Sequence, residues 1–257
     1  MENKSLSSRL SDYAYQLGFS DNFELRKCGD VLVGEIRKNA SNLWFEKDLR
    51  LKNNLEINNK AELRTAVIIL ESPHTAEYDS DFVSPALGTT GRNLQRHFED
   101  IFRSVCNDGE YRIILMNSIQ YQCSLGVDTN RYRDNMWLKL WFKEKLRRDF
   151  IDRLISYKPD IIFNFCTCGS HTMEDGLPQG CKSSLNTRYI EHCIAPLTFD
   201  GNSPTSLKKL VHEAIADAGI TAEIYEGSHP CAWRIRNSEL PECKKDVIGL
   251  TRNEVTA

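Results

Sequence analysis

Three short runs of mainly apolar residues constrain the fold of this chain more than any other feature. They lie at residues 66–70, 112–116 and 160–165. Continuous apolar runs of this length are typical of strands that are buried on both faces of a sheet. A shorter run at 222–225 predicts a fourth strand.

Segments with helical periodicity separate these runs. Residues 91–104 place apolar side chains three or four positions apart, and 136–157 predicts one long amphipathic helix ended by Lys158-Pro159. A third helix is predicted from Ser203-Pro204 to Gly219, with Ser as its N-cap. Strands that alternate with helices predict an α/β fold, a three-layer α/β/α domain with a four-stranded, mainly parallel sheet.

Residues 1–60 show a different pattern. A helix is predicted at 6–17 and a short strand at 31–33, whereas 51–60 is polar and rich in turn-forming residues. We therefore expect two parts, an N-terminal extension at 1–60 that packs on the core and a main domain at 61–257.

Charge and composition exclude several classes of protein. Lys and Arg total 33 and Asp and Glu total 36, so the net charge is −3. A protein that coats nucleic acid non-specifically is usually basic, so any nucleic-acid binding here requires a local patch. No apolar run approaches the roughly 18 residues that span a bilayer, and the first residues lack the apolar segment of a secretory signal. The absence of these segments and the presence of nine cysteines favour a cytoplasmic protein with free thiols. No association with a membrane and no obligate protein partner is expected.

Polar residues follow every predicted strand. The segments are 71–74, 117–118, 166–171 and 228–230. Ligands of open parallel sheets bind beyond the carboxyl ends of the strands, so these four segments are expected to form one site. A carboxylate, an amide and imidazoles of catalytic type converge there.

The same segments carry a resemblance to a known family. In order and spacing, they resemble the motifs of the uracil-DNA glycosylase superfamily across roughly residues 64–240. The matching segments are 70–74, 87–94, 115–117, 159–169 and 228–230. Prokaryotic members of that superfamily include proteins directed at hypermodified bases in viral DNA.

The resemblance implies a uracil-DNA glycosylase-like fold and a DNA glycosylase activity. Such an enzyme flips a deaminated or modified base out of DNA and hydrolyses its N-glycosidic bond. DNA is then the expected partner, and antiviral defence against modified phage DNA is one role open to the protein. The chain departs from the family at Ser72 and His74, which leaves the identity of the base open.

Three residues are expected to carry the chemistry. Glu71 would position the water and offset the charge of the sugar cation, and the alternative is a Glu that caps a loop. His229 would donate a hydrogen bond to the departing base, and the alternative is a loop histidine satisfied by backbone. Asn117 would read the edge of the base, and the alternative is an Asn that ends a strand. Ser72 and His74 are expected to contact the base.

DNA contacts are expected from Trp233, Arg234, Gly91 and Arg92. Trp233 would fill the gap left by a flipped nucleotide, and the equal alternative is a core tryptophan. Residues 131–153 contain eight basic and four acidic side chains, a net charge of 8 − 4 = +4. This stretch either contacts phosphates or forms a solvated helix face.

No metal and no other cofactor is predicted. Cys166, Cys168 and His171 lie close together, but their spacing does not match a structural zinc site, and Cys28 lacks the paired cysteines of iron–sulfur relatives. Two other functions stay open: a hydrolase of a free nucleotide or nucleoside, and a DNA-binding relative that has lost a catalytic group.

Overall fold

The structure is a computed structural model of the 257-residue chain. The residues described are 26–37, 40–43, 63–78, 83–124, 133–142, 145–167, 173–174, 177–178, 207–233 and 243–246, with Ser8 and Asp12. The predicted helix at 6–17 lies outside this set except for Ser8 and Asp12. Five further residues named above also lie outside it: Cys168, His171, Ser203, Pro204 and Arg234.

Strands and helices alternate along the described chain. The strands are β1 (Val31–Arg37), β2 (Ala40–Leu43), β3 (Arg64–Leu70), β4 (Tyr111–Asn117), β5 (Ile161–Asn164), β6 (Met173–Glu174), β7 (Leu177–Pro178), β8 (Glu223–Gly227) and β9 (Cys243–Asp246). The helices are α1 (Thr89–Val105), α2 (Asn135–Phe142), α3 (Leu146–Tyr157) and α4 (Leu207–Asp217), with 3₁₀ turns at Thr75–Tyr78 and Pro230–Ala232.

The main sheet is mixed and has seven strands within the described residues, in the order β2-β1-β4-β3-β5-β8-β9. The four strands predicted from the sequence are its centre, where β4, β3, β5 and β8 run parallel. The α/β class is confirmed, but the prediction of a four-stranded sheet is wrong. Antiparallel β1, β2 and β9 extend both edges.

The strands that the sequence analysis did not place in the sheet lie at its edges. Neither β2 nor β9 contains an apolar run, because β2 is half polar and three of the four residues of β9 are charged. Their pairing depends on backbone hydrogen bonds, which every residue except proline can make, so no side-chain pattern announces them. β1 and β2 come from the segment 1–60, and therefore part of the predicted N-terminal extension is built into the sheet.

Helices cover both faces of the sheet. On one face, α1 packs Leu94, Phe98 and Ile101 against β1, β3, β4 and β5. On the other face, α2, α3 and α4 cover a second core that contains the buried side chains of Trp137 and Trp141. Side chains alternate between the two faces along each strand, so the residues 66–70, 113–116 and 161–163 of β3, β4 and β5 are apolar on both faces.

The long helix predicted at 136–157 is two helices. α2 ends at Phe142 and α3 begins at Leu146. Lys145, immediately before α3, has a φ of 59°, which is left-handed and incompatible with a continuous helix. The predicted end of the segment is correct, because Lys158 also adopts a left-handed conformation before Pro159.

A buried ion pair ties α3 to the carboxyl end of β4. Arg153 Nη1 donates to Asp30 Oδ2 at 2.6 Å, and the Tyr157 hydroxyl donates to the same oxygen at 2.8 Å. Arg153 Nη2 also donates to the carbonyls of Asn117 and Ser118, both at 3.1 Å. One guanidinium therefore holds the end of a central strand in place.

We predict that Arg153→Met lowers the free energy of unfolding by about 3 kcal/mol or more, because Asp30 is then buried without its cationic partner. Arg148→Met, in the exposed Arg148–Asp152 pair of the same helix, is the matched control and costs less than about 1 kcal/mol. Urea denaturation of both variants measures the difference. Equal losses would contradict a structural role for the buried pair.

Candidate functional site

The carboxyl ends of the parallel strands border a cavity of about 420 Å³, which is within the usual range for small-molecule sites. Its wall combines the segment after β3, the start of α1 and the loop after β8. Glu71, Ser72, His74 and His229 all line it. The strand-end rule therefore located a real cavity, and these four predicted site residues meet there.

The backbone of Glu71 is held by three hydrogen bonds. Its carbonyl oxygen accepts from the Ser118 hydroxyl at 2.6 Å, from Trp137 Nε1 at 3.0 Å and from the Ile119 amide at 3.1 Å. Two of these donors follow β4 and the third lies on α2. The buried indole of Trp137 thus holds the backbone of Glu71, the residue that follows β3.

Glu71 lies in a buried charge cluster. Its Oε2 is 3.2 Å from His229 Nε2, and its Oε1 is 3.9 Å from Arg133 Nη1. The three side chains are between 9% and 14% exposed. Arg133 also donates to Asp134 at 2.7 Å. Two cationic groups therefore flank one carboxylate at the cavity wall.

The pKa values of the pair move in opposite directions. Burial by itself would raise the pKa of Glu71, but His229 and Arg133 outweigh it and lower the pKa to about 2. Burial by itself would lower the pKa of His229, but the Glu71 carboxylate raises it to about 10. At neutral pH the pair is therefore charged.

The loop that carries His229 is held to the rest of the domain. Asn93 Nδ2 on α1 donates to the Pro230 carbonyl at 2.7 Å, and Trp233 Nε1 donates to the Ser228 carbonyl at 2.9 Å. His229 Nδ1 lies 3.2 Å from the Cys231 amide nitrogen and 2.9 Å from the Cys231 thiol. These contacts orient the imidazole so that Nε2 faces Glu71.

Asn117 is buried with an unused amide. The residue is 1% exposed, and neither Oδ1 nor Nδ2 has a hydrogen-bond partner among the described residues. Asn117 pairs in register with Leu70, which lines the cavity, and alternation along β4 puts both side chains on the same face of the sheet. Asn117 does not itself line the cavity, but its unpaired donor and acceptor lie on the strand next to the Leu70 wall.

Two predicted contacts of the base differ in environment. Ser72 is buried at the cavity wall, whereas His74 is exposed at the mouth. His74 Nδ1 accepts from the Ala76 amide at 3.1 Å, and its carbonyl accepts from the Glu77 amide at 3.0 Å. His74 therefore builds the turn after Pro73 as well as facing the cavity.

The predicted DNA contacts separate into three groups. Arg92 lies at the cavity rim and donates to the Thr89 hydroxyl at 2.9 Å. Gly91 is buried in the first turn of α1. Trp233 is 6% exposed and meets the ring of Phe165 edge-on at 5.3 Å, so the structure corrects the expectation of a surface wedge and places it in the core. In this position the apolar ring packs against Phe165 and its N–H donates to the Ser228 carbonyl.

Three ionisable residues of the cavity wall were not predicted as site residues. Arg133 belongs to the basic stretch at 131–153, but charge count alone does not distinguish one buried guanidinium from a solvated face. Glu77 and Cys231 also line the cavity. Glu77 lies in a polar turn, where no periodic pattern signals burial, and Cys231 carried no motif.

The described part of the chain contains neither a metal-binding cluster nor a membrane-spanning helix. No cluster of three or more His, Cys, Asp or Glu side chains there could hold a metal ion. Cys166 is fully buried, with its thiol 3.9 Å from the Ile69 carbonyl, and burial raises the pKa of that thiol. No described helix is long and apolar enough to cross a bilayer.

The comparisons with known proteins return no match: no protein-family model, no curated protein and no solved structure is similar to this chain. The resemblance to the uracil-DNA glycosylase superfamily stays a prediction from the sequence motifs.

The charged pair predicts a specific dependence of stability on pH. The depressed pKa of Glu71 stabilises the fold above about pH 4.5, and this contribution is lost as the pH falls towards 2. The raised pKa of His229 stabilises the fold fully below about pH 6.5, and this contribution is lost as the pH rises through about 10.

We expect the free energy of unfolding to fall more steeply between about pH 8 and 10 in the wild type than in Glu71→Gln/His229→Gln, by about 1–3 kcal/mol. Burial is the largest cause of the raised pKa values of the Cys123 and Cys166 thiols and is common to both proteins, so most of the difference comes from the pair. His212→Gln, in the second histidine–carboxylate pair, is the control and keeps the wild-type slope. Parallel curves for all three proteins would contradict the ion pair.

Proposed function

We propose that this protein is a DNA glycosylase that flips a deaminated or modified base from DNA and hydrolyses its N-glycosidic bond. The observation that carries the proposal is the buried Glu71–His229 pair on the wall of the strand-end cavity. The ordered motifs that resemble the uracil-DNA glycosylase superfamily support it independently.

Glu71 supplies the negative charge that this reaction needs. Breaking an N-glycosidic bond leaves positive charge on the sugar, which a fixed carboxylate stabilises. Because its pKa is about 2, Glu71 is ionised at any physiological pH. Its carboxylate can also accept a hydrogen bond from the attacking water. The bonds to its carbonyl oxygen hold its main chain in position.

His229 supplies the hydrogen bond that the leaving base needs. Negative charge develops on the base as the bond breaks, and a positioned N–H stabilises it most at the transition state. His229 lines the cavity and its Nε2 lies 3.2 Å from Glu71 Oε2, so a base held in the cavity would bring an acceptor close to this N–H. Loss of this donor should therefore slow the chemical step.

Asn117 and the cavity supply recognition. A buried amide with a free donor and a free acceptor suits the edge of an extruded base, and leaving it unsatisfied is costly unless a ligand engages it. The cavity is recessed among strand ends, so a base must leave the helical stack to enter it. Arg92 at the rim is placed to meet a phosphate.

A second candidate is a hydrolase of a free nucleoside or nucleotide. The burial of Trp233 favours it, because the residue expected to wedge into a duplex is in the core. A DNA-binding relative without activity has less support, because the carboxylate and the imidazole are both in place and paired.

The experiment that tests these alternatives measures base release from three forms of substrate. Duplex DNA, single-stranded DNA and free nucleosides each carry uracil, hypoxanthine or glucosylated hydroxymethylcytosine. Release from DNA without release from nucleosides supports the glycosylase, and release of glucosylated hydroxymethylcytosine supports a role against modified phage DNA. Equal release from nucleosides supports the second candidate, and binding without release supports the inactive relative.

Glu71→Gln is expected to lower the single-turnover rate of base release by about 10²-fold or more, since the variant keeps its shape but loses the charge. Binding of the same DNA, measured by fluorescence anisotropy, stays close to wild type. Glu110→Gln, an exposed glutamate far from the cavity, is the control and keeps the wild-type rate. A normal rate in Glu71→Gln would remove Glu71 from the mechanism.

His229→Ala is expected to slow release from duplex and single-stranded DNA alike, because the hydrogen bond acts after the base has left the stack. The ratio of the two rates in the variant, compared with the wild-type ratio, is the measurement. A defect confined to duplex DNA would show that His229 acts in base flipping instead.

A further inference from the structure

Glu77 is a second buried carboxyl group on the wall of the same cavity, and the proposed mechanism does not use it. The residue is 4% exposed and lies in the 3₁₀ turn Thr75–Tyr78. This turn follows the segment that carries Glu71. Its burial is unusual because an acidic side chain is almost never fully buried without a partner.

The hydrogen bonds of Glu77 leave one oxygen unused. Oε1 accepts from the Ala86 amide at 3.1 Å, whereas Oε2 is buried and has no hydrogen-bond partner within the described residues. Arg133 and His229, two of the cations that line the cavity, are paired with Glu71, and no salt bridge to Glu77 is formed within the described residues. An ionised Glu77 would therefore be a buried charge without a salt bridge, which is strongly unfavourable.

The alternative is a carboxyl group that keeps its proton. Burial is the largest cause and raises the pKa of Glu77 to about 8, and the nearby Glu71 carboxylate adds to the rise. The Ala86 and His74 amides and His229 oppose it without cancelling it. A neutral carboxylic acid has an O–H donor, which an ionised one lacks.

We propose that Glu77 is a specificity-determining residue of this cavity, whose carboxylic acid donates a hydrogen bond from Oε2 to an acceptor atom of the bound base. The acceptor is a carbonyl oxygen or an unprotonated ring nitrogen. This proposal rests on the proposed function, since it names the chemical feature by which the cavity selects its base.

The arrangement selects between bases by donor and acceptor pattern. A base that presents a carbonyl oxygen to Oε2 gains a hydrogen bond, whereas a base that presents an amino group places two donors face to face. Sites of this kind reject the wrong partner strongly, because a buried donor is left unpaired. Ionisation of Glu77 at alkaline pH removes the donor and reverses the preference.

The described groups that interact electrostatically with Glu77 keep their charge over the relevant pH range. Between about pH 6 and 9, Glu71 stays ionised and His229 stays protonated. The Cys28 thiol and the Tyr78 phenol, which also face Glu77, have raised pKa values and stay neutral. His74 on the same turn is common to all the variants compared, so its contribution cancels.

The first test locates the proton and needs no activity. Carbon-13 NMR of the glutamate carboxyl groups in the full chain should show one signal that titrates near pH 8, and this signal should be missing in Glu77→Gln. Glu110→Gln is the matched control and keeps it. If every glutamate signal in the wild type titrates at acid pH, the proposal is overturned.

The second test measures base release from DNA across about pH 6–9 in the same three proteins. Wild type and Glu110→Gln should lose about tenfold in rate by pH 9, relative to the rate at pH 6. Glu77→Gln should lose little, because an amide N–H donates at any pH and its oxygen still accepts from Ala86. An alkaline loss that persists in Glu77→Gln overturns the proposal.

Failure of the proposed function is recognised separately. If the wild type releases no base at any pH, the glycosylase proposal fails, and calorimetric binding of free uracil and hypoxanthine replaces the rate measurement. Binding that weakens at pH 9 only in proteins with Glu77 supports the role of Glu77. Binding that depends equally on pH in Glu77→Gln, or no binding at either pH, overturns it.

Discussion

The charges of Glu71 and His229 depend on each other, and the candidate site depends on both. Each group is buried, and burial by itself would neutralise it. At 3.2 Å the two charges compensate for lost hydration, so a carboxylate and an imidazolium persist beside the cavity. This contact requires the segment after β3 and the loop after β8 to meet. Trp137 and Ser118 hold one loop, and Asn93 holds the other.

Two glutamates six positions apart have opposite protonation states because their surroundings differ. Glu71 faces two cations and its pKa falls to about 2, whereas Glu77 is buried near the Glu71 carboxylate and its pKa rises to about 8. A cavity with one permanent anion and one neutral acid can stabilise positive charge at one point and donate a hydrogen bond at another. Pairs of titratable groups whose pKa values are shifted in opposite directions are typical of sites that perform acid–base or electrostatic catalysis.

Much of the fold could be predicted because the central strands are buried on both faces. Continuous apolar runs predicted β3, β4 and β5, and the shorter run at 222–225 predicted β8. The rule that ligands bind at the carboxyl ends of parallel strands then predicted one site for Glu71, His229 and Asn117, and the first two line one cavity. A short strand was predicted at 31–33, within β1, but the outermost strands β2 and β9 could not be predicted, because they pair through backbone groups that carry no sequence signal. The break between α2 and α3 at Lys145 was also not predicted, since a lysine does not by itself indicate a left-handed backbone conformation.

The sequence by itself determined the α/β class, the parallel centre of the sheet and the edge at which a ligand would bind, because these follow from hydrophobic periodicity and chain connectivity. Only the tertiary structure decided which side chains are buried together. It moved Trp233 into the core and Arg133 to the cavity wall, and it set Glu77 beside Glu71 without a cation of its own. Burial and charge pairing arise between segments distant in the chain, and local patterns cannot encode them.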